Sequence, residues 1–199
     1  VTIDGIKGKF YSKRLYHVVV NFLTEFASDD DVVNWIAQES FGVRFMLPNQ
    51  ETEELMDEDS SNFQEFFDEE KIEILSMFEE LPEGFHNIEG LDYLVRRING
   101  QMNPIRPTAA AIAWGGKNTI EFMEIAFTGD IENIRRIILH EKAHFIYWNS
   151  VDQETKDDWI EIGGWFEDPT TNTGWSTWQT TAFVSPYGHD NNPDEDFAE

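Results

Sequence analysis

The chain has no cysteine among its 199 residues. Disulfides are excluded, and so is every metal site built on thiolates, which leaves imidazole and carboxylate as the ligating side chains at hand. Positive charge is scarce: 14 lysines and arginines stand against 39 acidic residues, for a formal net charge of −25. Phosphate backbones would be repelled, which argues against nucleic acid as a partner, and anionic membrane surfaces are disfavoured for the same reason. No apolar run approaches the roughly 18 residues that a bilayer span requires. No basic-then-apolar leader opens the chain, and its first residue is Val rather than Met, so the expectation is a processed or excised part of a longer polypeptide. The surplus of acid serves solubility or, more pointedly, sets up a field that draws basic substrates.

Apolar material is plentiful. Hydrophobic residues make up 40% and aromatics 14%, with 16 Phe and 7 Trp, enough for a sizeable core in one domain of ordinary size. Along the chain, residues 15–22 read as a strand, "SDDDVVNWIAQES" as a capped helix, and "VRFML" before Pro48 as a second strand. "NQETEELMDEDSSN" reads as an acidic loop. Its end resembles a calcium loop at Asp57, Asp59, Ser61 and Asp68, but Asn62 and Gln64 stand at the wrong places, and a capping box from Ser61 to Gln64 opening a helix over about 62–81 is simpler. "LDYLVRRING" reads as a short helix closed by Gly100. "TAAAIAWGG" and "TIEFMEIAF" form a hairpin across "GGKN", and a long helix starts near Asp130. A further helix follows in "SVDQETKDDWIEIGGWF". Helices and strands in this mixture predict an α+β fold.

Within the long helix, "IILHEKAHFIYW" places His140 and His144 four apart, on one face and one turn from each other. Two imidazoles so placed can hold one zinc ion between them, and Glu141, about 100° around the helix, is free to take a proton from a water on that metal. The bland alternative makes both histidines surface hydrogen-bonding groups. The apolar character of the helix (Ile131, Ile134, Ile137, Ile138, Leu139, Phe145) speaks against it, because a buried imidazole needs a partner. A catalytic zinc needs a third protein ligand. The candidates are His17, His86, His189 and the carboxylates, best of all those of "NNPDEDFAE". There Asn192 and Pro193 start a helix that carries Glu195 and Glu199 on one face. Glu195 could equally close a capping box with Asn192. Spacing leaves the order of the two glutamates open.

"LHEKAH", "SPYG" and "PDEDFAE" together resemble the lethal-factor-like zinc peptidases, the group that includes the bacterial Pro-Pro endopeptidases. The resemblance is specific over residues 137–148 and 183–199, compatible over about 81–136, and absent from the first 60. It implies a zincin-like metallopeptidase with a small mixed sheet packed on helices and the HExxH helix in the core. Residues 61–199 would be the catalytic domain, cut short in its C-terminal helix, and residues 1–60 an α/β part of uncertain assignment. By motif, His140, His144 and Glu195 would be the zinc ligands and Glu141 the general base. Tyr187 would be the phenol that stabilises the oxyanion, and Glu199 the partner of a ligand histidine. The Tyr-to-Glu spacing is about one residue longer than the family pattern, which weakens the assignment of Tyr187. The resemblance also implies a secreted protein acting on a peptide or protein substrate, of basic character given the charge, with "TIEFMEIAF" as the edge that receives it. The alternatives are a non-catalytic zincin-fold module of a larger assembly and a metal-dependent hydrolase of a non-peptide amide.

Overall fold

The computed structural model describes residues 30–180 and 183–199, together with the backbone of two short strands near the N-terminus. Those two, β1 (Thr2–Ile3) and β2 (Ile6–Lys7), pair antiparallel; the strand expected over 15–22 lies outside the described residues. Then come α1 (Asp30–Phe41), β3 (Arg44–Phe45), α2 (Gln50–Met56), β4 (Phe63–Gln64) and α3 (Asp68–Glu80). Helix α2 replaces the expected acidic loop. The Asn49 side chain accepts the N–H groups of Glu51 (2.9 Å) and Thr52 (3.3 Å), and glutamates fill the positive first turn. Helix α3 starts later than expected because the Ser61–Gln64 box does not form. The N–H of Ser61 goes to Asp59 (2.9 Å), and Gln64, in a strand, accepts from the N–H of Asn99 (2.9 Å). The helix is opened instead by Glu70, which accepts the N–H of Phe67 at 3.1 Å.

The main sheet is built on β5 (Tyr93–Arg97), β6 (Ala111–Trp114) and β7 (Thr119–Phe122). β5 and β7 run parallel at its centre. β3, parallel, and β4, antiparallel, share the far side of β5, and β6 closes the other side antiparallel to β7. The expected helix over "LDYLVRRING" is therefore a strand. Both of its faces are covered, so it lacks the polar–apolar alternation of a half-exposed strand. Leu94 joins the large core made with α1, α3 and the long helix, and Val95 joins a smaller cluster with Met46, Met56 and Phe63. The two arginines are buried with it: Arg96 meets Glu70 (2.9 Å) on the first face and Arg97 meets Glu121 (2.5 Å) on the second. The hairpin across "GGKN" is present, turning through a short 3₁₀ segment and Asn118 at φ 52°, a left-handed conformation that asparagine tolerates.

Next come α4 (Ile131–Asn149), α5 (Gln153–Ile162), β8 (Trp165–Glu167), β9 (Trp175–Thr177), α6 (Pro186–Asp190) and α7 (Pro193–Ala198). Asp130 caps α4, its side chain accepting the N–H of Asn133 at 3.0 Å. Ile137, Ile138 and Phe145 then bury the stripe that their spacing predicts. Lys142 enters the core between them. Its ammonium donates to the carbonyls of Phe85 (2.8 Å) and His86 (3.2 Å) and lies 3.7 Å over the Phe78 ring. Burial pushes its pKa down to about 7. Among the described residues no helix is long and apolar enough to cross a membrane.

Candidate metal centre

Helix α4 packs against β6 on one side and α7 on another, and the candidate site lies where the three meet. α7 starts as the sequence predicts. The Asn192 side chain accepts the N–H groups of Asp194 (2.9 Å) and Glu195 (3.1 Å), with Pro193 at the first helical position. Glu195 makes no capping box; its side chain turns to the histidines. His140 Nε2 and His144 Nε2 are 3.3 Å apart, and Glu195 Oε2 lies 3.2 Å from the first and 3.5 Å from the second. These residues form the described group able to hold a metal ion. The other histidine candidates do not join them. His86 Nε2 is bonded to the Leu81 carbonyl (2.7 Å) and His189 Nε2 to that of Gln179 (3.1 Å), while His17 lies outside the described residues.

The outer nitrogens face the same short helix. His144 Nδ1 is 2.8 Å from Asp194 Oδ1, and His140 Nδ1 is 3.3 Å from Glu199 Oε1. The Asp194 carboxylate on His144 Nδ1 fixes the proton there and turns the Nε2 lone pair inward, whereas His140 Nδ1 lies near Glu199 without a hydrogen bond. Trp148, one turn beyond His144, stacks on its ring (5.4 Å between centroids) and donates to the second oxygen of Asp194 at 2.7 Å. Gly115 makes room for that indole, since a Cβ there would stand 2.8 Å from it. Asp194 and Trp148 were not singled out by the sequence. An i, i+4 aromatic after the second histidine was the available signal for Trp148, and nothing local marked Asp194.

The electrostatics follow from these contacts. Burial alone would favour neutral His144, but the hydrogen bond to Asp194 and the nearby charges of Asp194 and Glu195 hold its proton on, up to about 10. Burial works against the Glu195 carboxylate, yet its close contacts with the two histidines hold it well below the usual carboxylate range. Glu141 is 6% exposed and lies beside this group without joining it, in contact with β6. Burial raises its carboxyl above the ordinary range, partly offset by the charges of His140 and His144, and it accepts the N–H of Ala113. Tyr187, in α6, sits with its ring 5.9 Å from that of His140. Burial and then the Glu195 carboxylate push its phenol up to about 12.

The donor set fits a zinc ion. Ligand atoms roughly 2.0–2.1 Å from a tetrahedral zinc lie about 3.3 Å from one another, and the three observed edges are 3.2, 3.3 and 3.5 Å. Glu195 Oε2 is buried and accepts no well-formed hydrogen bond, so it is an anionic atom in want of a cation. Two imidazoles disfavour magnesium and calcium, which ask for oxygen. Asp194→Ala is expected to weaken zinc binding by about 10–100-fold with the three ligands intact. Competition against a chromogenic chelator measures this, and unchanged affinity would remove Asp194 from the metal's support.

No family model matches the chain, and no curated protein or solved structure is significantly similar to it.

Proposed function

We propose that this protein is a zinc-dependent endopeptidase of zincin type, resembling the lethal-factor-like peptidases. The observation that carries the reading is the triangle of His140, His144 and Glu195 atoms at tetrahedral spacing, with a separate carboxylate near the outer nitrogen of each histidine. A zinc ion held there supplies Lewis acidity toward a carbonyl and toward water. Glu141, outside the triangle and raised by burial, takes the proton of the attacking water on its carboxylate and passes it to the leaving amine. Tyr187, kept as a phenol, donates to the oxygen that gains charge.

The substrate edge differs from the one expected. The strand Thr119–Phe122 is paired on both sides, so it cannot accept another chain. On this side of the sheet the edge is β6, with β3 and β4 at the opposite end. Met123 N–H bonds to the Ala110 carbonyl, and the alternation of an antiparallel pair then turns Ile112 and Trp114 toward β7, and Ala111 and Ala113 outward along the site. Ala113 N–H serves Glu141, which leaves the remaining outward groups to bind an extended peptide by strand addition.

The test is zinc content after exhaustive dialysis, with a mixed peptide library assayed in parallel. The expected result is about one zinc per chain and cleavage, with both reduced in His144→Ala and Glu195→Ala. A parent protein that takes up no zinc when it is supplied would sink the reading; zinc without cleavage would favour a non-catalytic module.

A further inference from the structure

Among the described residues, neither apolar cluster of the fold includes a residue beyond Trp148. Helix α5 and the β8–β9 hairpin therefore do not build the core, and α5 has no buried residue of its own. What they reach instead is α7. Trp159, in α5, donates its indole N–H to the Pro193 carbonyl at 3.1 Å, and Trp165, at the start of β8, donates to Asp196 Oδ2 at 3.2 Å. With Trp148 on Asp194 at 2.7 Å, indole donors hold residues 193, 194 and 196, on both sides of Glu195. The Phe197 ring completes the grip, 5.2 Å from that of Tyr147 and 5.8 Å from that of Trp159.

The donors are themselves fixed. Lys156 ties α5 to the end of α4, its ammonium donating to the Trp148 carbonyl at 3.2 Å and lying 5.2 Å over the Tyr147 ring. Before Trp165 stands Gly163, where a Cβ would lie 2.4 Å from Cδ1 and 2.6 Å from Nε1 of that indole, so the donating edge fits only against a glycine. Strand β9 holds this glycine in turn, the Thr177 hydroxyl donating to its carbonyl at 2.6 Å.

Helix α7 needs outside support. Its six residues are too few for a helix to hold itself. Asp194, Glu195, Asp196 and Glu199 also repel one another and the rest of a chain of net charge −25. Lysine or arginine beside Glu195 would relieve that repulsion but would pair with the ligand carboxylate. Arg136 does pair with a carboxylate of this segment, at its far end, 3.4 Å from Glu199. An indole N–H donates without carrying charge. It fixes the neighbours of Glu195 and leaves the Glu195 anion for a metal.

We propose that Trp159 and Trp165 are positioning residues for the third metal ligand, and that α5 with the β8–β9 hairpin serves to carry them. This rests on the metal-centre reading and not on peptide cleavage.

Trp159→Phe and Trp165→Phe keep a ring and lose the N–H. Zinc affinity is measured by chelator competition, with thermal unfolding alongside, in the wild type and in a Glu195→Ala background. In the wild type each substitution is expected to weaken zinc binding roughly three- to tenfold, and the pair about 10–100-fold. In Glu195→Ala the same substitutions should change affinity by less than about twofold, because the carboxylate they act through is already gone. An equal loss in both backgrounds would make the tryptophans general supports of the structure and overturn the proposal. So would unchanged affinity in the wild-type background, whatever happens to the melting temperature. Trp159 is half-buried, and its variant carries the test if Trp165→Phe does not fold. A wild type that binds zinc without cleaving peptides, and loses affinity as described, upholds the proposal and removes the peptidase reading. A wild type that takes up no zinc overturns the metal centre and this proposal with it.

Discussion

Replacing Glu141 with glutamine is expected to cut peptide cleavage by about 10²–10⁴-fold, the usual worth of a positioned general base, while zinc content stays at the level of the parent. The separation of the two readouts follows from where the side chain lies. Glu141 contributes no atom to the triangle of His140 Nε2, His144 Nε2 and Glu195 Oε2. Its packing is nearly closed, at 6% exposure, and an amide of the same size preserves it. What glutamine cannot do is accept a proton. The carboxyl is suited to that exchange because burial raises it toward neutrality, with the charges of His140 and His144 pulling the other way. Unchanged cleavage would remove Glu141 from the chemistry. Loss of zinc together with cleavage would make its role structural.

The second large effect is on stability. Glu121→Ala should cost about 3–5 kcal/mol, the penalty for stranding a buried charge. Glu121 is fully buried on the face of β7 that carries the smaller apolar cluster, and it serves three donors. Arg97 Nε is at 2.5 Å, Asn103 Nδ2 at 2.9 Å and Trp114 Nε1 at 2.9 Å. Removing it leaves all three with unmet hydrogen bonds in a place water does not reach. Arg97 keeps Glu58, 3.0 Å from its other end, which puts the expected loss nearer the lower figure. Thermal unfolding should shift down by roughly 10 °C for a chain of this size. The exposed pair of Arg44 and Glu51 provides the control, and Glu51→Ala should move stability by less than about 1 kcal/mol. A Glu121 variant as stable as that control would show that the network is dispensable.

This network explains much of what the sequence concealed. Strand β5 reads as a helix because "YLVRR" shows neither polar–apolar alternation nor a turn signal. Its two arginines look like solvated residues until Glu70 from α3 and Glu121 from β7 are brought to them. Those partners are 26 and 24 residues away along the chain, so no local pattern announces them. The same holds for the outer strand of the sheet. "TIEFMEIAF" and "TAAAIAWGG" have equal claims as short β-prone segments, and only the pairing of β7 with β5 decides that the second is the outer one.

The sequence by itself determined what depends on near neighbours. Two histidines four apart on a helix share a face because of helical geometry alone, and Asp130 and Asn192–Pro193 start their helices through bonds that span three residues or fewer. The tertiary structure decided which carboxylate does what. Asp194, Glu195 and Glu199 sit on one short helix, and its angle on α4 brings Glu195 to both inner nitrogens, Asp194 to the outer nitrogen of His144 and Glu199 to that of His140. Helical periodicity determines the directions in which those three side chains leave α7. Which of them meets which nitrogen depends on the rotation and height at which α7 docks, and those are set by packing between residues some fifty positions apart, such as Tyr147 against Phe197 and His144 against Asp194.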